Sequence, residues 1–100
     1  MKFVYEPELL LHMQQKGLKT IAVEVIDAQN SDFEIQDFHV RLVNERMKNL
    51  FITERKYRSV PTEHGDVLLP NYHLEYDDTI IFGLKKFLCF KSVSFSGIRF

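Results

Sequence analysis

The single cysteine, Cys89, stands in the run Phe87-Leu88-Cys89-Phe90, where a thiol could serve as a nucleophile or as one metal ligand. Alone it closes no intramolecular disulfide, forms no Cys-x-x-Cys redox pair, and does not hold zinc or an iron–sulfur cluster. A reactive thiol needs a basic or helix-N-terminal setting, whereas free cysteine in apolar company ordinarily packs as a small hydrophobe. Cys89 is therefore expected to be buried packing. The histidines, His12, His39, His64 and His73, are scattered, and no pair has the i, i+4 spacing of a helical zinc site. His64 comes closest to a site, because Glu63-His64-Gly65-Asp66 sets two carboxylates beside an imidazole. Gly and Asp also suit a turn for backbone reasons alone. His64, Asp66 and Cys89 are the candidates for metal ligation; no residue is assigned to catalysis or to a cofactor.

Other polar sets read as structural. Asp77 and Asp78 are adjacent, so on an extended segment they point to opposite faces and share no acid–base work. Ser92, Ser94 and Ser96 alternate on one strand face without a histidine neighbour or a Gly-x-Ser-x-Gly elbow. Arg55-Lys56-Tyr57-Arg58, with Arg46 and Lys48 upstream, could track a phosphate backbone with stacking on Tyr57 and Phe51. So small a cluster in a nearly neutral chain fits a protected strand edge better.

The elements that would position these groups are mostly strands. Residues 7–16 read as a helix: Pro7 suits the first helical position, Leu9, Leu10 and Met13 form an apolar face, and Gly17 can take the left-handed C′ conformation. Alternation of Ile21, Val23 and Val25 predicts a strand over 20–26, followed by a polar loop at 27–32. In the extended segment 33–43, Phe33 and Ile35 are odd while Phe38, Val40 and Leu42 are even, which predicts a bulge near Gln36-Asp37. Residues 44–55 fit either a helical turn capped by Asn44 or a polar connection. Strands are expected at 57–60, stopped by Pro61, and at 66–69, with Thr62-Glu63-His64-Gly65 turning between them. After a polar connection at 71–78, strands at 79–84 and 87–95 flank a turn at Gly83-Leu84-Lys85-Lys86. The expected fold is a single α+β domain, mainly β, with one N-terminal helix packed on antiparallel or mixed sheets.

At 100 residues the chain is long enough for one modest core. Thirteen basic against fourteen acidic residues give a net charge of −1, so composition makes no case for nucleic acid or for an anionic membrane. The N-terminus has no signal-peptide pattern, no apolar run reaches spanning length, and a lone cysteine suits a reducing compartment. These features lead to the expectation of a cytoplasmic protein.

The order of elements resembles the HesB-like domain, the fold of the A-type iron–sulfur carriers. The resemblance lies in the Pro-led helix 7–17 running into Thr20-Ile21-Ala22-Val23-Glu24-Val25, then Gly65-Asp66-Val67-Leu68-Leu69-Pro70, the segment 80–88, and a last strand ending at Gly97. The family's carriers hold metal with one cysteine after an early strand and a Cys-x-Cys pair in a C-terminal tail. Here the matching loop, 27–32, has no cysteine, the chain stops at Phe100, and Cys89 matches neither position. The resemblance therefore implies a non-enzymatic accessory or binding module without a cofactor. Its working surface would be a pocket between helix and sheet or an exposed strand edge. The alternative is a metal or iron–sulfur carrier in which Cys89 and histidines meet across an oligomer interface. The aromatics Phe90, Phe95 and Phe100 exceed what one small core holds, which points to self-association or a protein partner.

Overall fold

Strand pairing begins one element earlier than the pattern suggests. A computed structural model of the chain describes residues 1–30 and 33–100, and of residues 27–30 and 33–36 the backbone alone. The order is β1 (Lys2–Tyr5), α1 (Pro7–Lys16), β2 (Thr20–Asn30), β3 (Phe33–Val43), α2 (Glu45–Thr53), β4 (Arg58–Thr62), β5 (Gly65–Leu69), β6 (Glu75–Phe87) and β7 (Phe90–Arg99). Among the described residues the strands form two mixed sheets, β1-β6-β7 and β3-β2-β5-β4, and with two helices the class is α+β, mainly β. No helix among the described residues is long and apolar enough to cross a membrane.

Strand β2 has both faces covered. Ile21, Val23 and Val25 face Leu9 and Met13 of α1, Tyr5 of β1, and Ile80 and Phe82 of β6 in the main core. On the opposite face Ala22 joins Val43, Phe51, Tyr57 and Leu68 in a second, smaller core. Helix α2 supplies Phe51 to that core, and its start is satisfied by Asn44, whose side chain accepts from the Met47 N–H at 2.9 Å. Of the two readings of residues 44–55, the helix is the one formed. Tyr57 closes the same face: the Val25 N–H donates to its Oη at 3.0 Å.

Several boundaries differ from expectation. Strand β2 runs on through residues 27–30, paired with β3 residue for residue from Thr20↔Val43 to Asn30↔Phe33. Only Ser31 and Asp32 of the expected loop remain, and they lie outside the described residues. The same pairing leaves no room for an extra residue at Gln36-Asp37. The irregularity sits in β6 instead, between Tyr76 and Ile81. Gly97 of β7 faces it with φ 90°, where an added Cβ would stand 2.7 Å from the Thr79 carbonyl oxygen. Strand β4 passes through Pro61, because it is a sheet edge and a missing N–H there breaks no ladder. The turn expected at Gly83-Leu84-Lys85-Lys86 lies four residues later, at Leu88-Cys89. Gly83 is instead buried within β6, where an added Cβ would meet the Glu6 carboxylate and Ser94 Oγ.

Three results are expected. Gly65 has φ 143° and lies against the Lys19 carbonyl, so Gly65→Ala meets backbone and should lose about 3 kcal/mol or more in urea unfolding. Gly17→Ala, with φ 67° and nothing near the new Cβ, should lose about 1 kcal/mol. Burial raises the Tyr5 and Tyr76 phenols above their ordinary value of 10.0. Each holds its proton more tightly folded than unfolded, so their contribution is complete below pH 10 and is lost as pH rises through the folded values. The urea midpoint should begin to fall as pH rises past about 10, with a smaller fall in Tyr5→Phe.

Candidate functional site

The β6–β7 hairpin extends beyond the core that its base helps to build. Phe82, Leu84 and Val93 pack inward. Past them come the pairs Lys85↔Ser92, Lys86↔Lys91 and Phe87↔Phe90, closed by the two-residue turn Leu88-Cys89. Every residue from Lys85 to Ser92 is exposed. Phe87, Leu88 and Phe90 are 69%, 87% and 71% exposed, which makes one contiguous apolar tip. Leu88 carries φ 55°, a position that short hairpins ordinarily give to Gly, Asn or Asp. A branched side chain there costs on the order of 1–2 kcal/mol.

Alternation along the strands sorts the lysines. Lys85 shares the outward face with Phe87 and Phe90, while Lys86 and Lys91 sit directly opposite each other on the inward face. A like-charge pair across an antiparallel ladder is destabilising. Among the described residues none of these lysines joins an ion pair. Lys91 and Val93 line a hollow of about 390 Å³ together with His12, Lys16 and Leu18. The His12 imidazole is held below its ordinary value by burial first, then by the charges of Lys91 and Lys16.

The three candidate ligands are not brought together. Cys89 is exposed at the hairpin turn, which corrects the expectation of buried packing. Its neighbours are apolar because the tip is apolar, and the strands turn before they can bury it. His64 lies edge-on to Tyr5, ring centroids 5.1 Å apart, with Glu63 Oε2 at 3.8 Å from Nε2. It borders an apolar hollow of about 430 Å³ against Leu10, Met13 and Leu18, between α1, the connection 17–19 and the β4–β5 turn. Asp66 is engaged elsewhere, accepting from Lys48 Nζ of α2 at 2.5 Å. That bond raises the Lys48 pKa. Among the described residues no group of three or more His, Cys, Asp or Glu is placed to hold a metal ion.

The remaining polar sets have structural partners. Arg55 lies over the rings of Phe51 (4.8 Å) and Tyr57 (5.1 Å) and donates to Glu24 Oε2 at 2.5 Å and the Val25 carbonyl at 3.1 Å. Phe51 and Tyr57 are buried, so neither ring is free to stack on a base. Glu75 and Asp77 share the Arg99 guanidinium, at 3.2 and 2.7 Å. Ser92, Ser94 and Ser96 sit on one strand face, opposite Lys85, Gly83 and Ile81. Of the C-terminal aromatics, Phe95 and Phe100 each rest 5.2 Å from the Phe38 ring, whereas Phe90 is left at the tip.

No family model, curated protein or solved structure matches this chain. The tip itself had a sequence signal: Lys85-Lys86-Phe87-Leu88-Cys89-Phe90-Lys91, an apolar quartet bracketed by lysines. Gly83 suits a turn as well as a strand, and a turn there would place the quartet in strand interior.

The exposed thiol makes a direct prediction. Ellman's reagent should react with Cys89 in native protein at a rate within about threefold of that in denaturant, as expected for an exposed thiol. Protection by a hundredfold or so would return Cys89 to the core.

Proposed function

We propose that this chain is a non-catalytic binding module that works through the tip of the β6–β7 hairpin, on a HesB-like scaffold without cluster ligands of its own. The observation that carries the reading is the contiguous exposure of Phe87, Leu88 and Phe90. Covering such side chains recovers about 1.5–3 kcal/mol each, an ample driving force for association. Leu88 at positive φ supports the reading, since a Gly or Asn would turn the chain at less expense and bind nothing apolar. The scaffold reading rests on the sequence resemblance in residues 7–17, 20–25, 65–70 and 80–97.

The exposure of Cys89 also favours a second reading, a metal or iron–sulfur carrier in which thiols and histidines of two copies meet. Anaerobic purification separates the two. Stoichiometric metal with visible absorption supports the carrier, and a colourless, metal-free sample counts against it.

The module reading predicts that the tip is dispensable for folding. Phe87→Ser, Leu88→Ser and Phe90→Ser combined should change unfolding stability by no more than about 1 kcal/mol while abolishing retention on a phenyl matrix. A loss of about 3 kcal/mol or more would show that the tip is a structural part of the monomer.

A further inference from the structure

The basic groups around the tip say what it meets. Lys85, Lys86 and Lys91 bracket Phe87-Leu88-Cys89-Phe90 on both strands and both faces of the hairpin. Lys16 lines the same hollow as Lys91. The net charge of −1 averages this away: Glu24 answers Arg41 and Arg55, Asp66 answers Lys48, Glu75 and Asp77 answer Arg99, and the Glu6 carboxylate lies back at Gly83, two residues behind Lys85. What remains at the hairpin end is an apolar point with a cationic collar. Resting on the binding-module reading, we infer that the β6–β7 tip docks on an anionic lipid bilayer surface, with Phe87, Leu88 and Phe90 entering the headgroup–acyl boundary and the lysines contacting lipid phosphates.

The dimensions agree. Lys86 and Lys91 stand two residues behind the turn and Lys85 three, roughly 7–10 Å at the ordinary strand rise. Interfacial segments bury their apolar part to about 5–10 Å, so a tip seated at that depth carries its ammonium groups at the headgroup phosphates. Phosphates above and below the hairpin would also neutralise the Lys86↔Lys91 pair, which has no protein counter-ion among the described residues. A second copy fits less well. A two-fold contact through the tips sets the same patch against itself, lysines against lysines, around a convex point rather than a flat or concave surface.

The test is co-sedimentation of the whole chain with vesicles of phosphatidylcholine alone and of three parts phosphatidylcholine to one part phosphatidylglycerol. Binding should be at least about tenfold stronger to the anionic vesicles and should fall sharply in 1 M salt, where the screening length shrinks to about 3 Å. Lys85→Glu, Lys86→Glu and Lys91→Glu combined should remove the preference for anionic lipid. The combined Phe87→Ser, Leu88→Ser, Phe90→Ser variant should remove binding. An environment-sensitive fluorophore on Cys89 should shift to the blue on vesicles and be quenched by brominated acyl chains. Absence of vesicle binding overturns the lipid assignment, as does binding that survives both sets of substitutions. Self-association in sedimentation equilibrium that the serine variant abolishes, without vesicle binding, overturns it in favour of a second copy. These failures leave the module reading standing if the serine variant is folded, and that reading falls separately if the variant unfolds.

Discussion

Everything in this domain is assembled on strand β2, and the constraint it imposes is that both of its faces must be covered. It pairs with β3 along its whole length and with β5 at Thr20, Ile21 and Ala22. With neighbours on both sides it has no edge in that region, so only its faces remain to be buried. One face takes α1 and the other sheet; the second takes α2. Helix α2 is short and would be marginal alone, and it persists because Phe51 fills the second core while Asn44 satisfies its first turn. The same requirement draws Tyr57 inward and ties its hydroxyl to the β2 backbone.

The charge distribution follows from that arrangement. Glu24, on the α2 side of β2, gathers Arg41 and Arg55, and Lys48 of α2 reaches Asp66 at the start of β5. Acidic groups are thereby committed around the second core and at the β6 irregularity, where Arg99 holds Glu75 and Asp77. A chain that is almost neutral in total has, among the described residues, lysines outside any ion pair around the hairpin turn. Long-range fields depend on such local imbalance and on its distance from the compensating charges, which composition does not contain.

Sheet β1-β6-β7 is under a weaker constraint, since only one of its faces meets the core. Its base is held by Phe82, Ile80 and Ile98, and the aromatic contacts of Phe38 with Phe95 and Phe100 bridge it to β3. Nothing in the main core requires the hairpin to stop where the core stops. Beyond Leu84 and Val93 the ladder continues with exposed side chains, and that surplus length forms the candidate site.

Much of the framework was legible from local pattern. The helix at Pro7–Lys16, its Gly17 terminus, the alternation in β2 and the turn at Glu63-His64 are set by capping chemistry, period and turn residues, all of which act over a few positions. Strand β1 escaped because a four-residue strand has too little alternation to register, and it exists through parallel pairing with β6, some 77 residues away at Lys2↔Thr79. Gly83 misled for a related reason: the same residue serves a turn or a close approach of side chains, and only the position of Glu6 distinguishes them. The burial of Cys89 was inferred from its apolar neighbours, but neighbours in sequence say nothing about where a hairpin turns relative to the core. By itself the sequence determined the α+β character and the two ends of α1. Tertiary structure alone decided which apolar residues find a core and which charges find a partner. Both depend on contacts between residues far apart in the chain, and that is why Phe87-Leu88-Cys89-Phe90 became an exposed tip rather than packing.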